Sequence, residues 1–292
     1  MRQAVRKSVI PSHQLFLIRK LEDKHFDPVW HFHSDYQLFF VEEGSGTRFI
    51  GDDVRPFNKG ELVFTGPNLP HLWRSDEKFF DKNDQSRCSG IVLYLKEEFP
   101  GHGLLEKEEL IGLKKLMEKS VRGLEIGGET RTLVIQMMQD LFHLTGAKGL
   151  IRILEVLDML SSSRDLTYIS AAPYENTFRE NEADRMSQIY AYVMDHFKQE
   201  IRLDKIAAEL CMTPTSFSRY FTMKTNQPFS KFVINLRIHQ ACRLLTEEDM
   251  GVADVSWECG FKTLSHFNKQ FREVTHLTPS EYRKKYRELM EV

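Results

Sequence analysis

Up to Leu95, apolar residues come in short runs and alternations: LFLIRKL, QLFFVEE, GTRFIG, ELVFTG and GIVLYL, with Gly, Asn, Asp and Pro between them. Short period-two segments bounded by turn residues predict an all-β barrel or sandwich. After Pro100 the period lengthens to that of helices, over 106–119, 129–144 and 148–160. In the last of these Leu150, Ile153, Leu154, Leu157 and Leu160 share one stripe, which either packs on the barrel or serves as a dimer face. Residues 161–182 are polar, rich in Ser and Glu and contain Pro173, which reads as a linker. Everything after Asp184 has helical periodicity again. The expected chain is an α+β multidomain protein: barrel 1–100, helical dimerisation or packing layer 101–163, linker 164–183 and an all-α domain 184–292.

A length of 292 residues suffices for two domains with their own cores. With 41% hydrophobic and 28% charged residues and a net charge of -2, compositional disorder and an overall polycation are excluded. Charge is nevertheless uneven, since residues 186–292 hold 15 Lys and Arg against 13 Asp and Glu and form the basic part. The four cysteines form no C-x-x-C pair, which fits a reducing compartment. The basic N-terminus lacks a signal-peptide core, and no run approaches the roughly 18 apolar residues of a membrane span. The cytoplasm is the expected location, with no membrane partner.

Two segments of the C-terminal region share one layout about fifty residues apart. In the first, Leu203, Ile206, Ala207 and Leu210 stripe a short helix, Cys211 and Met212 turn, and Thr213 with Pro214 suits an N-cap and first helical position. The following helix buries Phe217, Tyr220 and Phe221, leaving Thr215, Ser216, Ser218 and Arg219 outward. In the second, Val252, Val255 and Trp257 to Cys259 form the short helix, Gly260 supplies the turn, and a helix over 263–274 buries Leu264 or Phe267, Phe271 and Val274. Thr263, Ser265, His266, Asn268, Lys269 and Arg272 face outward there. This is the layout of a helix-turn-helix, whose second helix meets base edges in the major groove. A long helix capped near Ser230 separates the two, and no carboxylate lies between Glu209 and Glu247, where Arg219, Lys224, Lys231, Arg237 and Arg243 fall. Such a stretch suits a phosphate backbone.

The tail GFKTLSHFNKQFREVTHLTPSEYR closely resembles the signature of the AraC/XylS family of bacterial transcription regulators. The resemblance covers about a third of the chain and implies a sequence-specific DNA-binding regulator, more often an activator, with RNA polymerase and a second copy of the chain as partners. It places base-reading roles on Thr215, Ser218 and Arg219, and on Leu264, Ser265, Asn268 and Lys269. The glycine that the family often has after each recognition helix is Asn226 in one unit and His276 in the other.

His31 and His33 in VWHFHSDYQLFF and the later His71 in GELVFTGPNLPHLW resemble the two motifs of the cupin barrel, where histidines and a glutamate bind a metal. Gln37 stands at the glutamate position. That loss favours a metal-free pocket without cofactor, in which Trp30, His31, His33, Gln37, His71 and Trp73 hold a small effector. Aromatic walls with few polar tips suit a sugar. The expected protein is therefore a ligand-responsive regulator and not an enzyme, with the alternatives being a cupin enzyme or a helical protein-interaction module.

Overall fold

The structure is a computed structural model that describes residue 8 and residues 10–101, 103–171, 173, 180–225 and 227–288. The chain divides into two units, with the break between Asp184 and Arg185.

The first unit carries β1 (Phe16–Asp23), β2 (Tyr36–Glu43), β3 (Gly46–Ile50), β4 (Asp53–Phe57), β5 (Leu62–Thr65), β6 (His71–Ser75), β7 (Cys88–Leu95), β8 (Leu124–Ile126) and β9 (Leu166–Tyr168). One sheet has the order β1-β7-β2-β5-β8-β9 and the other β4-β3-β6. In β2 the period of two decides which core each side chain joins. Leu38 and Phe40 face a core shared with helices, while Phe39 and Val41 face a second core with Trp73 and Phe57. A strand buried on both faces reads as a continuous apolar run, as QLFFV does.

The helices α1 (Ile111–Ser120), α2 (Gly128–Asp140) and α3 (Ala147–Ser162) close over that first core. Their buried residues, among them Leu116, Val134, Met138 and Ile153, join the same cluster as Leu38, Phe40 and Leu93. The expected helical layer over 101–163 is therefore not separate from the barrel: it shares one core with it and supplies β8, which pairs with β5. The leucine-rich stripe is settled the same way. Ile153, Leu157 and Leu160 are fully buried and Leu150 and Leu154 pack against them, each buried side chain contributing roughly 2 kcal/mol. That face packs inward and is not left for a dimer.

The expected linker also starts too early. Leu166–Tyr168 is strand β9, paired with β8, and Ile169 joins the second core. Asp165 Oδ2 accepts from the backbone N–H and the hydroxyl of Thr130 at the start of α2. A three-residue strand is too short to show a period, so its polar neighbours dominated the pattern. Of the remaining linker positions, 172 and 174–179 lie outside the described residues.

The second unit holds α4 (Glu180–His196), α5 (Leu203–Glu209), α6 (Pro214–Thr225), α7 (Phe229–Glu247), α8 (Val252–Glu258), α9 (Leu264–Thr275) and α10 (Pro279–Glu288). Helices α5 and α6 form one helix-turn-helix, α8 and α9 the other. Helix α7 begins at Phe229 after Pro228, one residue before the expected cap at Ser230. Phe217, Phe221, Phe229 and Phe232 pack together around the first motif, and Ile238, Ala241 and Leu245 of α7 join Val255, Phe267 and Phe271 around the second.

The duplication extends to hydrogen bonds. Thr225 Oγ1 lies 2.8 Å from Phe221 O and 3.1 Å from Gln227 O, and Thr275 Oγ1 lies 2.8 Å from Phe271 O and 3.1 Å from Leu277 O. Left-handed backbone ends the first helix of each motif, at Cys211 (φ 54°) and Gly260 (φ 76°). His276 closes α9 at φ 60°, as a glycine would, with its N–H donating to Arg272 O at 3.0 Å. Asn226, its counterpart, lies outside the described residues.

Gly260 is needed for space as well as for its dihedral, since a Cβ there would sit 2.6 Å from Lys198 O. Gly260→Ala is therefore expected to destabilise the second unit by about 2 kcal/mol, read as a lowered urea midpoint at unchanged slope.

Candidate functional site

In the first unit the main chains of His31 and His71 pair directly, His31 N–H donating to His71 O at 3.2 Å and His71 N–H to His31 O at 2.9 Å. That bridge brings the rings of His31 and His71 to 4.5 Å between centroids, and His33, two residues along on the same face, lies 5.0 Å from His71. One candidate ligand nitrogen from each of the three falls within 4.8 Å of the others. Each Nδ1 faces a main-chain carbonyl: His31 to Val29 O at 2.8 Å, His33 to Asp35 O at 3.0 Å and His71 to Leu69 O at 2.8 Å. A carbonyl only accepts, so in His31 and His71 Nδ1 carries the hydrogen and Nε2 keeps the lone pair, whereas both ring nitrogens of His33 face an oxygen, Asp35 O and Gln37 Oε1.

Of the six expected pocket residues, five come together here. Gln37 Oε1 is 3.2 Å from His33 Nε2, and the Trp73 ring is 5.7 Å from His71. Trp30 is buried edge-on against Phe32, one residue out of phase with the imidazoles. Sequence reasoning missed Tyr94, whose ring lies 5.5 Å from His33 and which the inward alternation of GIVLYL could have pointed to. The metal set of the cupin barrel fits the residues present in its imidazoles: three ligand nitrogens on one buried face, each oriented by a carbonyl, as metal-ligating histidines are. Its carboxylate is replaced by the neutral Gln37 amide.

The second missed feature is a buried ion cluster. Arg48, 1% exposed, places Nη2 2.6 Å from Glu125 Oε2 and Nε 3.3 Å from Glu61 Oε1, and Trp73 Nε1 donates to Glu61 Oε2 at 2.9 Å. Burial opposes the Arg48 charge, but Glu61, Glu125 and Asp53 more than offset it and hold the guanidinium protonated. Burial pushes the Glu61 carboxyl above its ordinary value, against the pull of Arg48 and Trp73. The signal lay in a charge inside an apolar run, Arg48 in GTRFIG and Glu61 in GELVF.

In the second unit both candidate reading helices start on a threonine. Thr213 Oγ1 accepts from Ser216 N–H at 3.2 Å, and Thr263 Oγ1 from His266 N–H at 3.3 Å. Thr215, Ser216 and Arg219 on α6 are exposed and Ser218 is half-buried. Thr263, Ser265, His266, Asn268, Lys269 and Arg272 around α9 are all exposed. Leu264, open to either role in the sequence, is 38% exposed on the outer side, while Phe267 and Phe271 fill the core. Lys269 makes one loose exposed pair, 3.9 Å from Glu273, which holds it weakly.

The basic stretch is less uniform than its sequence. Lys224 is buried, and Arg237 donates to Phe197 O at 2.8 Å and Gln199 O at 2.6 Å, tying α7 to the end of α4. Arg219 and Lys231 are exposed and Arg243 is half-buried. The sequence argument from five outward cations is corrected accordingly: Lys224 and Arg237 belong to the architecture.

Among the described residues no helix is long and apolar enough to cross a membrane. Residues 206–285 match the model of a helix-turn-helix domain and residues 18–79 that of a cupin domain. The chain is similar to the HTH-type transcriptional activator RhaS of Klebsiella pneumoniae (strain 342), 22% identical over 264 residues covering 87% of this chain and 86% of that protein. RhaS of Escherichia coli (strain K12 / DH10B) is 23% identical over 269 residues, with 87% and 86% covered. Among solved structures, the DNA-binding domain of AdpA in complex with a target DNA is 27% identical over 37% of this chain and 96% of that one, with a TM-score of 0.35. Apo ToxT from Vibrio cholerae strain SCE256 is 17% identical over 94% of this chain and 98% of that one, with a TM-score of 0.36.

Removing the guanidinium would leave Glu61 charged and buried. Arg48→Met is expected to cost about 3 kcal/mol in urea unfolding at neutral pH, and Arg48→Met with Glu61→Gln to recover most of it. The single variant should regain stability as pH falls through the window between the ordinary and the raised carboxyl value, because there the folded state binds more protons than the unfolded one.

Proposed function

We propose that the chain is a DNA-binding transcription regulator of the AraC/XylS type, which reads one operator with two helices and a signal with its barrel. The observation that supports the first half is the duplicated, threonine-capped helix with a short polar outer face, carried twice on one helical unit. Helices α6 and α9 enter successive major grooves, about 34 Å apart. On α9, Lys269 suits a guanine edge, Asn268 an adenine and Leu264 a thymine methyl, with Thr263, Ser265, His266 and Arg272 beside them. On α6, Thr215, Ser216 and Ser218 are short hydroxyls that chiefly position the helix on phosphates, and Arg219 is its main base contact.

The first unit is the sensor. A small polar effector, a sugar being the class its aromatic walls suit, is held by His31, His33, Gln37, His71 and Trp73 with Trp30 behind them. Effector binding changes DNA affinity only by as much as the effector favours one state of the protein over another. The protein acts in the cytoplasm as a homodimer and as an activator that recruits RNA polymerase.

The test is fluorescence anisotropy of the purified protein on DNA upstream of its own and neighbouring genes, beside scrambled duplex at physiological salt. Specific binding should exceed random binding by about 10³-fold or more, and equal weak binding to both would sink the reading. In the same assay Lys269→Ala should cost about 1–3 kcal/mol on the operator and little on random duplex. Equal losses on both would reduce Lys269 to a phosphate contact. His33→Ala should abolish the response to the effector and leave DNA binding intact, and a normal response would place the effector elsewhere.

A further inference from the structure

The two candidate reading helices are held on one unit by more than the helix that joins them, and the inference rests on the operator reading above. We propose that Arg237 is the positioning residue for that reading: by pinning the end of α4 between the two motifs, it fixes the separation and mutual angle of α6 and α9.

The need for a brace comes from how the cores divide. Phe229 and Phe232, at the start of α7, pack with Phe217 and Phe221 of the first motif. Further along the same helix, Ile238, Ala241 and Leu245 pack with Val255, Phe267 and Phe271 of the second. Between the motifs runs a groove of about 520 Å³, with Ser218 and Thr222 of α6 on one side and Phe261 and His266 on the other. A helix that joins two clusters on its own leaves their mutual angle soft, because long helices bend. A binding constellation works only when it is held to within about 0.5 Å and 10–20°.

Arg237 stands on α7 between the two sets of core residues, and its side chain reaches sideways. Nε donates to Phe197 O at 2.8 Å and Nη2 to Gln199 O at 2.6 Å. These carbonyls lie at the C-terminal end of α4, where the helix dipole favours a cation. The guanidinium carbon is also 5.8 Å from the centre of the Phe261 ring, next to the left-handed Gly260. One side chain therefore touches α4, its own helix α7 and the turn between α8 and α9.

The end of α4 meets that turn in a second way. A Cβ on Gly260 would sit 2.6 Å from Lys198 O, so the two main chains are in direct contact. On either side of the glycine, Glu258 pairs with Lys198 and Lys262 with Glu200, each at 2.9 Å. Both pairs are exposed and singly weak, which leaves the forked bonds of Arg237 as the stiff element. The flank of α4 belongs to the first motif: Arg185 lies 5.5 Å over the Tyr220 ring of α6, and Tyr190 meets Phe232 edge-on at 5.3 Å. Helix α4 thus packs on the first motif with its side and on the second with its tip, and Arg237 closes the triangle.

The test has one arm without DNA and one with it. The full-length protein carries Cys211→Ser, which removes an exposed thiol, and takes nitroxide labels at Met223→Cys in α6 and Glu273→Cys in α9, both exposed positions. Double electron–electron resonance then reads the distance between the two helices. The parent should give one narrow distribution and Arg237→Met one at least about two-fold wider. Arg237→Lys keeps a charged donor for the carbonyls, folds even where the methionine variant does not, and should give a width in between. On the operator found by anisotropy, one base pair inserted between the half-sites shifts a groove by about 3.4 Å and should cost the parent more than about ten-fold in affinity. In Arg237→Met that penalty should fall to about three-fold or less, with binding to random duplex as in the parent. A merely structural role would lower the urea midpoint alone, and an unchanged width or an unchanged insertion penalty overturns the proposal. Broadened distances with no operator preference in the parent would instead overturn the regulator reading and leave the brace standing.

Discussion

Polar groups taken out of water inside the first unit must be answered by other polar groups, and most of its architecture follows from how that is done. Three imidazoles each give one nitrogen to a main-chain carbonyl two residues away. Arg48 is answered by Glu61 and Glu125, and Glu61 in turn by the Trp73 indole. These bonds tie side chains on β3, β6 and β8 and leave the apolar residues of the same strands to face the two cores. The polar side chains thus gather around His71 and Arg48, while β2 stays apolar towards both cores.

The second unit solves a different problem, that of stopping short helices in fixed places. Threonine hydroxyls start α6 and α9, left-handed residues end α5, α8 and α9, and Thr278 with Glu281 forms a reciprocal cap at the start of α10. Isolated seven-residue helices such as α5 and α8 are marginal on propensity alone. Packing of Ile206, Ala207 and Val255 supplies the rest.

What was legible in the sequence was whatever repeats or alternates. The phenylalanines at 217 and 221 recur at 267 and 271, so both motifs and their outward faces stood out. The paired histidines and His71 marked the cluster they form because three imidazoles in an apolar setting are uncommon. Short strands were not legible: β6, β8 and β9 hold too few residues for a period, and β9 sits in polar company. Charge misled in one place, because Lys224 and Arg237 look like a phosphate-binding stretch in one dimension and turn inward in three. The fate of the leucine stripe was open in the sequence for a related reason: periodicity shows that a face is buried without showing against what.

The threonine-capped duplication has a consequence for how such a protein changes over time. Each motif carries its own aromatic packing, its own start signal and its own stop, and none of these involves Thr215, Arg219, Asn268 or Lys269. Substitutions on the outer faces therefore leave the framework its shape. The outer faces and the fold are written on different residues, so one half can drift while its twin holds, and a lineage can pass between outer surfaces without crossing an unfolded intermediate.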